Sequence, residues 1–397
     1  AGGSAAGDCP RHGALIMATE ASAAASAATV EVRGQGIDGL SVKPRLGATG
    51  AAPLRSHYRA DPTQEAPMKL GVMAALFAGR AFDQVVRDCA DMGLDAIELP
   101  VGAYPGKPFF DPRKVLASSK EQDRIKGMLR DHHLELSGLA VHGNPVHPDR
   151  KIAKAHHDEY ETAVKLARVL GTDVVITFSG CPGGSRKDST PNWVTCPWPN
   201  DFTGILAYQW DEVLVPYWAK QAKLCAKHGV KTAWEAHPGF CAYNTDTLIR
   251  LSERSMKASG LRGKPVLGAN LDPSHFFWQG IDPILAAREL GERGLLFYCH
   301  AKDTELDRHE GPLNGYLDAR PYTALTRRSW NFRTCGYGHG HEFWKPFVST
   351  LRRYGYDHVL SIEHEDALMS IEEGLTKAID FLTDAIIEEK PATPWWT

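Results

Sequence analysis

The chain has 397 residues, 43% hydrophobic and 23% charged, with 45 Lys and Arg against 48 Asp and Glu. A formal charge of -3 leaves no positive excess for gripping a phosphate backbone, which argues against a nucleic-acid partner. No apolar run approaches the roughly 20 residues that cross a bilayer, so a membrane span is not expected. Eight cysteines are scattered without a C-x-x-C pair and read as reduced thiols of a cytoplasmic enzyme.

Residues 1–67 contain 30 Ala, Gly or Ser and show no sustained helical or strand period. Such a stretch buries too little apolar surface to offset its ordering entropy, so a disordered extension is the expectation. A targeting peptide is the alternative, but an Arg-rich amphipathic face and a continuous apolar run are both missing. Met68 stands directly before the first clean strand, so a third reading makes residues 1–67 non-native sequence. Mass spectrometry of the protein made from its own gene decides between them. Function is sought after Met68.

From there short β-rich runs alternate with amphipathic stretches, the pattern of βα units on a parallel sheet. The first strand is predicted at 69–75 with a helix near 81–92, and the second at 95–100 with a helix near 113–131. The third strand, 134–142, precedes a helix near 149–170. The fourth, 173–178, has its helix late, near 210–228. Strands at 230–235, 266–272, 295–301 and 358–363 follow, with helices near 245–257, 282–290, 341–354 and 370–388. Gly93, Gly171, Gly229 and Gly355 fall just after helical stretches, where a left-handed residue is wanted. Eight such units over 68–388 predict an α/β fold of the closed (β/α)8, or TIM, barrel type, with 389–397 as a tail. No G-x-G-x-x-G opens a helix after the first strand, which removes a dinucleotide site.

Two connections are long, 179–209 after strand four and 303–340 after strand seven. Both leave the C-terminal ends of strands, where barrel active sites are built. Four successive strands end in a metal-ligand side chain: Glu235, Asp272, His300 and Glu363. One strand-end acid is ordinarily a cap or a surface ion pair. Four in register are hard to obtain that way, and three acids against low-dielectric strand walls need a neutralising charge. One divalent metal ion supplies it. The donor set favours Mn2+ or Mg2+, with Co2+ or Zn2+ also compatible.

The pieces Leu271-Asp-Pro-Ser-His275, His300-Ala-Lys-Asp303 and Ile362-Glu-His-Glu-Asp366, with the Glu235 strand end, carry a family resemblance. Residues 68–388 resemble the xylose isomerase-like barrel superfamily, in its sugar phosphate isomerase/epimerase branch, which includes ketose 3-epimerases and inosose dehydratases. The resemblance implies that Glu235, Asp272, His300 and Glu363 hold one metal and that His275 touches substrate oxygen. It also implies a small carbohydrate substrate and, by itself, a homo-oligomer.

The chemistry expected is proton abstraction next to a carbonyl through an enediolate, with Glu235 and Glu363 as the catalytic pair on the two faces of the carbon. Lys302 would hold neighbouring oxygens, or else ion-pair with Asp303 or another nearby acid. His142, Asn144 and His147 follow strand three, and His237 lies two past Glu235; His142, Asn144 and His237 are candidate substrate contacts. The long loops add Trp193, Trp198 and Trp210, then Arg327, Arg328, Trp330, Arg333 and His339. Trp330 and Arg333 are taken as substrate-binding, since aromatic faces stack on sugars and Arg forks bind anions. These additions suggest a roomier pocket than a free pentulose or hexulose needs. The runner-up is therefore a lyase or dehydratase acting on a 3-keto-glycoside or keto-cyclitol. The superfamily's DNA-repair endonucleases and a non-catalytic sugar-binding barrel are remoter readings.

Overall fold

The computed structural model describes residues 68–389 and 395–396. The extension at 1–67 and most of the tail at 389–397 lie outside the described residues.

The barrel strands are β1 (Lys69–Met73), β2 (Ala96–Pro100), β3 (Glu135–Ala140), β4 (Val174–Phe178), β5 (Lys231–Glu235), β6 (Leu267–Leu271) and β7 (Leu296–Ala301). Two short strands, β8 (Asp303–Leu306) and β9 (Trp330–Arg333), come next, and β10 (Val359–Ile362) closes the barrel between β7 and β1. Every barrel pairing is parallel. The eight-stranded (β/α)8 expectation holds.

The helices form where an apolar stripe recurs every third or fourth residue. In Phe82–Asp91 the buried positions are Phe82, Val85, Val86 and Cys89. Asp149 caps the Arg150–Leu170 helix by accepting from the amides of Lys151 and Ile152, and Gly171 ends it at φ 97°. That backbone angle is one a Cβ would strain. Inside the barrel, Val174, Ile176, Ala233 and Tyr298 form a separate apolar plug. It lies below the strand ends and leaves them free for polar groups. Among the described residues all seven cysteines are free thiols. No helix among the described residues is long and apolar enough to cross a membrane.

Three element predictions need correction. The helix after β2 is two, Pro112–Leu116 and Ser119–Asp131, because the Ser118 side chain caps the second through the Glu121 amide. The helix after β4 begins at Asp201, well inside the expected loop, and runs through a π-helical stretch, Tyr208–Leu214, into Val215–His228. Gln209 on that stretch donates to the carbonyls of Pro182, Gly183 and Asn192, so the wide turn pins the β4 loop. The last helix stops at Thr383, and the carboxylate of the next residue, Asp384, pairs with Lys345 at 2.8 Å.

The segment after β7 is no plain loop. β8 and β9 pair antiparallel, Asp303 opposite Arg333 and Leu306 opposite Trp330. Behind the hairpin Trp330 stacks on Trp278, centroids 4.8 Å apart and planes 5° apart. Arg328 is buried with no carboxylate partner among the described residues, between the rings of Tyr322 and Trp330, and donates to the carbonyls of Trp330 and Arg320. Truncating it strands two carbonyls and opens a void. Arg328→Ala should lower stability by about 2–4 kcal/mol, seen in a denaturant melt, with faster amide exchange across 316–332.

Candidate metal centre and active site

Glu235 is the last residue of β5, in register with Phe178 on β4 and Asn270 on β6. Asp272 follows β6, His300 lies within β7 and Glu363 follows β10. One ligand atom from each of these four lies within 4.8 Å of the others. The side chains of Asp272 and His300 are fully buried and that of Glu235 nearly so, while that of Glu363 is 18% exposed. The cluster therefore opens to solvent on the Glu363 side.

Three carboxylates in one apolar cup are costly unless charge or hydrogen bonds compensate. Around Glu235 the compensation is histidine: His142 Nε2 at 3.0 Å, His275 Nε2 at 3.1 Å and His300 Nδ1 at 3.1 Å. Burial alone would raise the Glu235 pKa, but these imidazoles outweigh it and hold the carboxyl well below the usual range. Around Asp272 and Glu363 the compensation is Lys302, whose Nζ stands 3.2 Å from Asp272 Oδ2 and 2.7 Å from Glu363 Oε2. Burial opposes the lysine's charge, but Asp272, Glu363 and Glu365 keep its pKa well above the ordinary value.

The donor set suits a divalent cation. Asp272 Oδ1 caps the Pro273–Phe277 turn by accepting from the Ser274 amide, while Oδ2 is buried and makes no hydrogen bond. Its contacts are the ion pairs to Lys302 Nζ at 3.2 Å and His275 Nε2 at 3.4 Å, and a carboxylate oxygen so placed, facing two further carboxylates and an imidazole, suits a hard or borderline metal ion. Glu235, His237 and His275 form a second, overlapping group of three ligand atoms.

Sequence reasoning missed the residue that aims His300. Glu98 sits mid-strand in β2, fully buried, and accepts from His300 Nε2 at 3.0 Å and from Ser361 Oγ at 2.7 Å. With Nε2 committed there, Nδ1 faces Glu235 and Glu363, with the Asn270 amide beside it. The signal was present: an acid inside Ala-Ile-Glu-Leu-Pro, an otherwise apolar strand, needs a reason to be there. Carboxylates that hold a ligating histidine through its second nitrogen typically tune metal affinity 10–100-fold. Glu98→Ala should weaken metal binding by about that factor, measured by competition with a fluorescent chelator.

The expected substrate contacts divide. His142, His275 and Lys302 converge on the carboxylates, as described. His237 is half-buried at the rim with its ring 4.2 Å from that of His275, and burial together with that neighbour pushes its pKa down to about 3. Asn144 is a brace: its amide donates to the Cys181 carbonyl and accepts from the Cys181 amide. His147 accepts from the Asp149 amide. Trp330 lies behind the hairpin, buried, donating to the Tyr316 carbonyl. Arg333 is held by Asp366 at 3.0 Å and Glu305 at 2.6 Å. These engagements leave Asn144, Trp330 and Arg333 in the frame of the site.

Lys302 pairs with Asp272, Glu363 and Glu365, while Asp303 has its own partners. Asp303 accepts from the amides of Gly336, Gly338 and His339 and from His339 Nδ1. Gly338 is required there, since a Cβ would meet the Thr304 carbonyl oxygen at 2.4 Å. Of the loop tryptophans, Trp210 is buried, Trp193 packs edge-on against Tyr243 and Trp198 is exposed.

The closed parallel barrel with this strand-end cluster defines the class, and comparison agrees. Residues 86–385 match the xylose isomerase-like TIM barrel family, and the chain belongs to it. Among individual relatives, the uncharacterized protein YfiH of Bacillus subtilis (strain 168) is 35% identical over 322 residues, which are 80% of this chain and 99% of YfiH. The probable 3-DHS dehydratase AsbF from Bacillus anthracis superposes with a TM-score of 0.54 at 18% identity, over 80% of this chain and 99% of AsbF. The IolI protein, solved with a bound zinc atom, superposes with a TM-score of 0.55 at 18% identity, over 80% of this chain and 98% of IolI.

Proposed function

We propose that the protein is a divalent-metal-dependent sugar isomerase or epimerase that works by proton abstraction beside a carbonyl. The observation that carries this reading is the pairing of Glu235 and Glu363. They are a buried and a partly exposed carboxylate from strands three places apart in the barrel order, within 4.8 Å of each other and of Asp272 and His300. The family's name and the zinc atom of IolI support it.

Glu235, Asp272, His300 and Glu363 would hold the ion, with Glu98 fixing the imidazole. When bound, the ion supplies Lewis-acid polarisation of a carbonyl and its neighbouring hydroxyl. Glu363 stands on the solvent side and takes the proton from the carbon. Lys302 Nζ, already 2.7 Å from Glu363, offsets the charge that develops on the enediolate oxygens. Glu235, which takes up a proton from His142 or His275, returns it to the carbon on the other face. The buried walls exclude water from the carbanion-like intermediate.

The second reading is elimination, as a lyase or dehydratase on a keto-glycoside or keto-cyclitol. His142 and His275, both bonded to Glu235, favour it because expulsion of a leaving group needs a general acid beyond the two carboxylates. The dehydratase description of AsbF fits the same chemistry. Protein reconstituted with Mn2+, Mg2+, Co2+ or Zn2+ and incubated in D2O with ketoses and 3-keto-glycosides separates the two by NMR. Deuterium in recovered sugar supports isomerisation or epimerisation. An enone or a released aglycone supports elimination, and inert substrates with every metal refute both.

A further inference from the structure

Away from the carboxylate centre, a cavity of about 380 Å3 lies between the β4 loop and the helix Thr245–Ser259. That volume falls in the range of small-molecule sites, and its lining shares no residue with the centre. Trp193, Val194, Leu206 and Tyr243 give it apolar walls. Gln209, Trp210 and Asp211 line it from the π-helical stretch, and the three bonds of Gln209 to the β4 loop hold that loop against the stretch. A π-helical turn interrupts the regular ladder and is frequently found at functional sites.

Two groups in this lining call for an acceptor. Trp193 Nε1 is buried and makes no hydrogen bond, whereas a buried indole N–H ordinarily has a partner. The second is Arg250. Asp211 is the only carboxylate lining the cavity among the described residues, and it is taken by Arg254 at 2.5 Å. Arg250 pairs instead with Asp246, outside the lining, one turn away on its own helix at 3.2 Å. Both side chains of that pair are exposed, and such pairs hold weakly. The guanidinium of Arg250 rests over the Trp210 ring, 4.4 Å from its centroid. Burial raises the Tyr243 pKa, and Arg250 is close enough to oppose that rise. Tyr243 in turn meets Trp193 edge-on at 5.5 Å, so the cation and the unpaired indole border the same ring.

An apolar cavity with one uncompensated positive charge and one unpaired donor is complementary to a flat apolar body that carries an anionic acceptor. We propose that this cavity is a second ligand site and binds an aromatic carboxylate. The ring packs against Trp193, Leu206 and Tyr243, and the carboxylate accepts from Arg250 and from Trp193 Nε1. The inference concerns the β4 side of the barrel and stands apart from the isomerase reading.

The test titrates the full-length protein by calorimetry with 2-naphthoate and with the neutral, equally shaped 2-naphthamide, once loaded with Mn2+ and once in chelator. The acid should bind about tenfold more tightly than the amide, the size expected for one charge-assisted hydrogen bond. Its affinity should be the same with and without metal, since a carboxylate held at the centre would need the ion. Arg250→Gln should bring the acid down to the level of the amide and leave the amide unchanged. Trp193→Leu should weaken both by about fivefold, through the lost ring contact. Arg250 is exposed, so its variant reports on binding even where the Trp193 variant folds poorly. Absence of binding by the acid, equal affinities for the two compounds, binding that disappears in chelator, or an acid preference that survives Arg250→Gln overturns the inference. Each of those results leaves the isomerase reading standing, because deuterium exchange tests that reading separately.

Discussion

Glu363→Gln is expected to lower kcat by about 10^2–10^4-fold, the usual contribution of a positioned general base. The substitution keeps the shape and one oxygen donor but removes the group that accepts a proton. Lys302 and His300, which face Glu363 at 2.7 and 3.4 Å, then lose their anionic partner, so some loss of metal affinity accompanies the rate effect. Rate and metal content must therefore be measured together, with the metal saturated during turnover. A fall in kcat at full occupancy assigns the proton transfer to Glu363. Undiminished turnover would remove Glu363 from the mechanism. Glu235→Gln should fall by a similar factor. It carries an additional cost in stability, because His142 and His275 then face an amide in a buried site.

Asp272→Asn is expected to abolish the stabilisation that metal confers. In the wild type, Asp272 Oδ2 is buried without a hydrogen bond, and the charge of three carboxylates is shared by one lysine and three histidines. A divalent ion held by the folded centre would have no preformed site in the unfolded chain. At a hundredfold excess over Kd, added metal should therefore stabilise the protein by about 2.7 kcal/mol, read as a rise in Tm. Chelator should reverse the rise and abolish turnover. In Asp272→Asn an anionic donor is gone, and an amide NH2 group faces the place of the ion. The metal-dependent rise should vanish, and the metal-free melting temperature should fall as well because buried Lys302 loses an anionic partner. A Tm that ignores metal in the wild type would defeat the metal-centre reading.

Much of the barrel could be read locally. The strand runs are short and apolar, the helices carry buried residues at three- and four-residue spacing, and capping residues such as Asp149 and Gly171 mark their ends. The four strand-end groups were legible for the same reason, since a parallel barrel brings the C-terminal ends of its strands to one rim. What escaped was whatever depended on a distant partner. The four-residue strands β8 and β9 exist because they pair with each other across 23 residues, and no local period announces that. Arg333 and Trp330 looked like ligand-binding types, yet Asp366 and Trp278 had already claimed them. Phe332, one residue before Arg333, was passed over, although it is the ring that reaches Lys302 and His275.

Sequence by itself determined the number and order of the βα units and that Glu235, Asp272, His300 and Glu363 stand at strand ends, where the barrel brings them together, because both follow from patterns within a few residues or one strand. The tertiary structure alone decided that Glu98 grips His300 from 202 positions away and that Lys302 turns to Asp272 and Glu363. It also decided which aromatic residue of the long strap faces the centre. Those choices are made by which buried charge finds an opposite charge or hydrogen bond once the barrel has closed. That contest among side chains distant along the chain is not written in any single stretch of it.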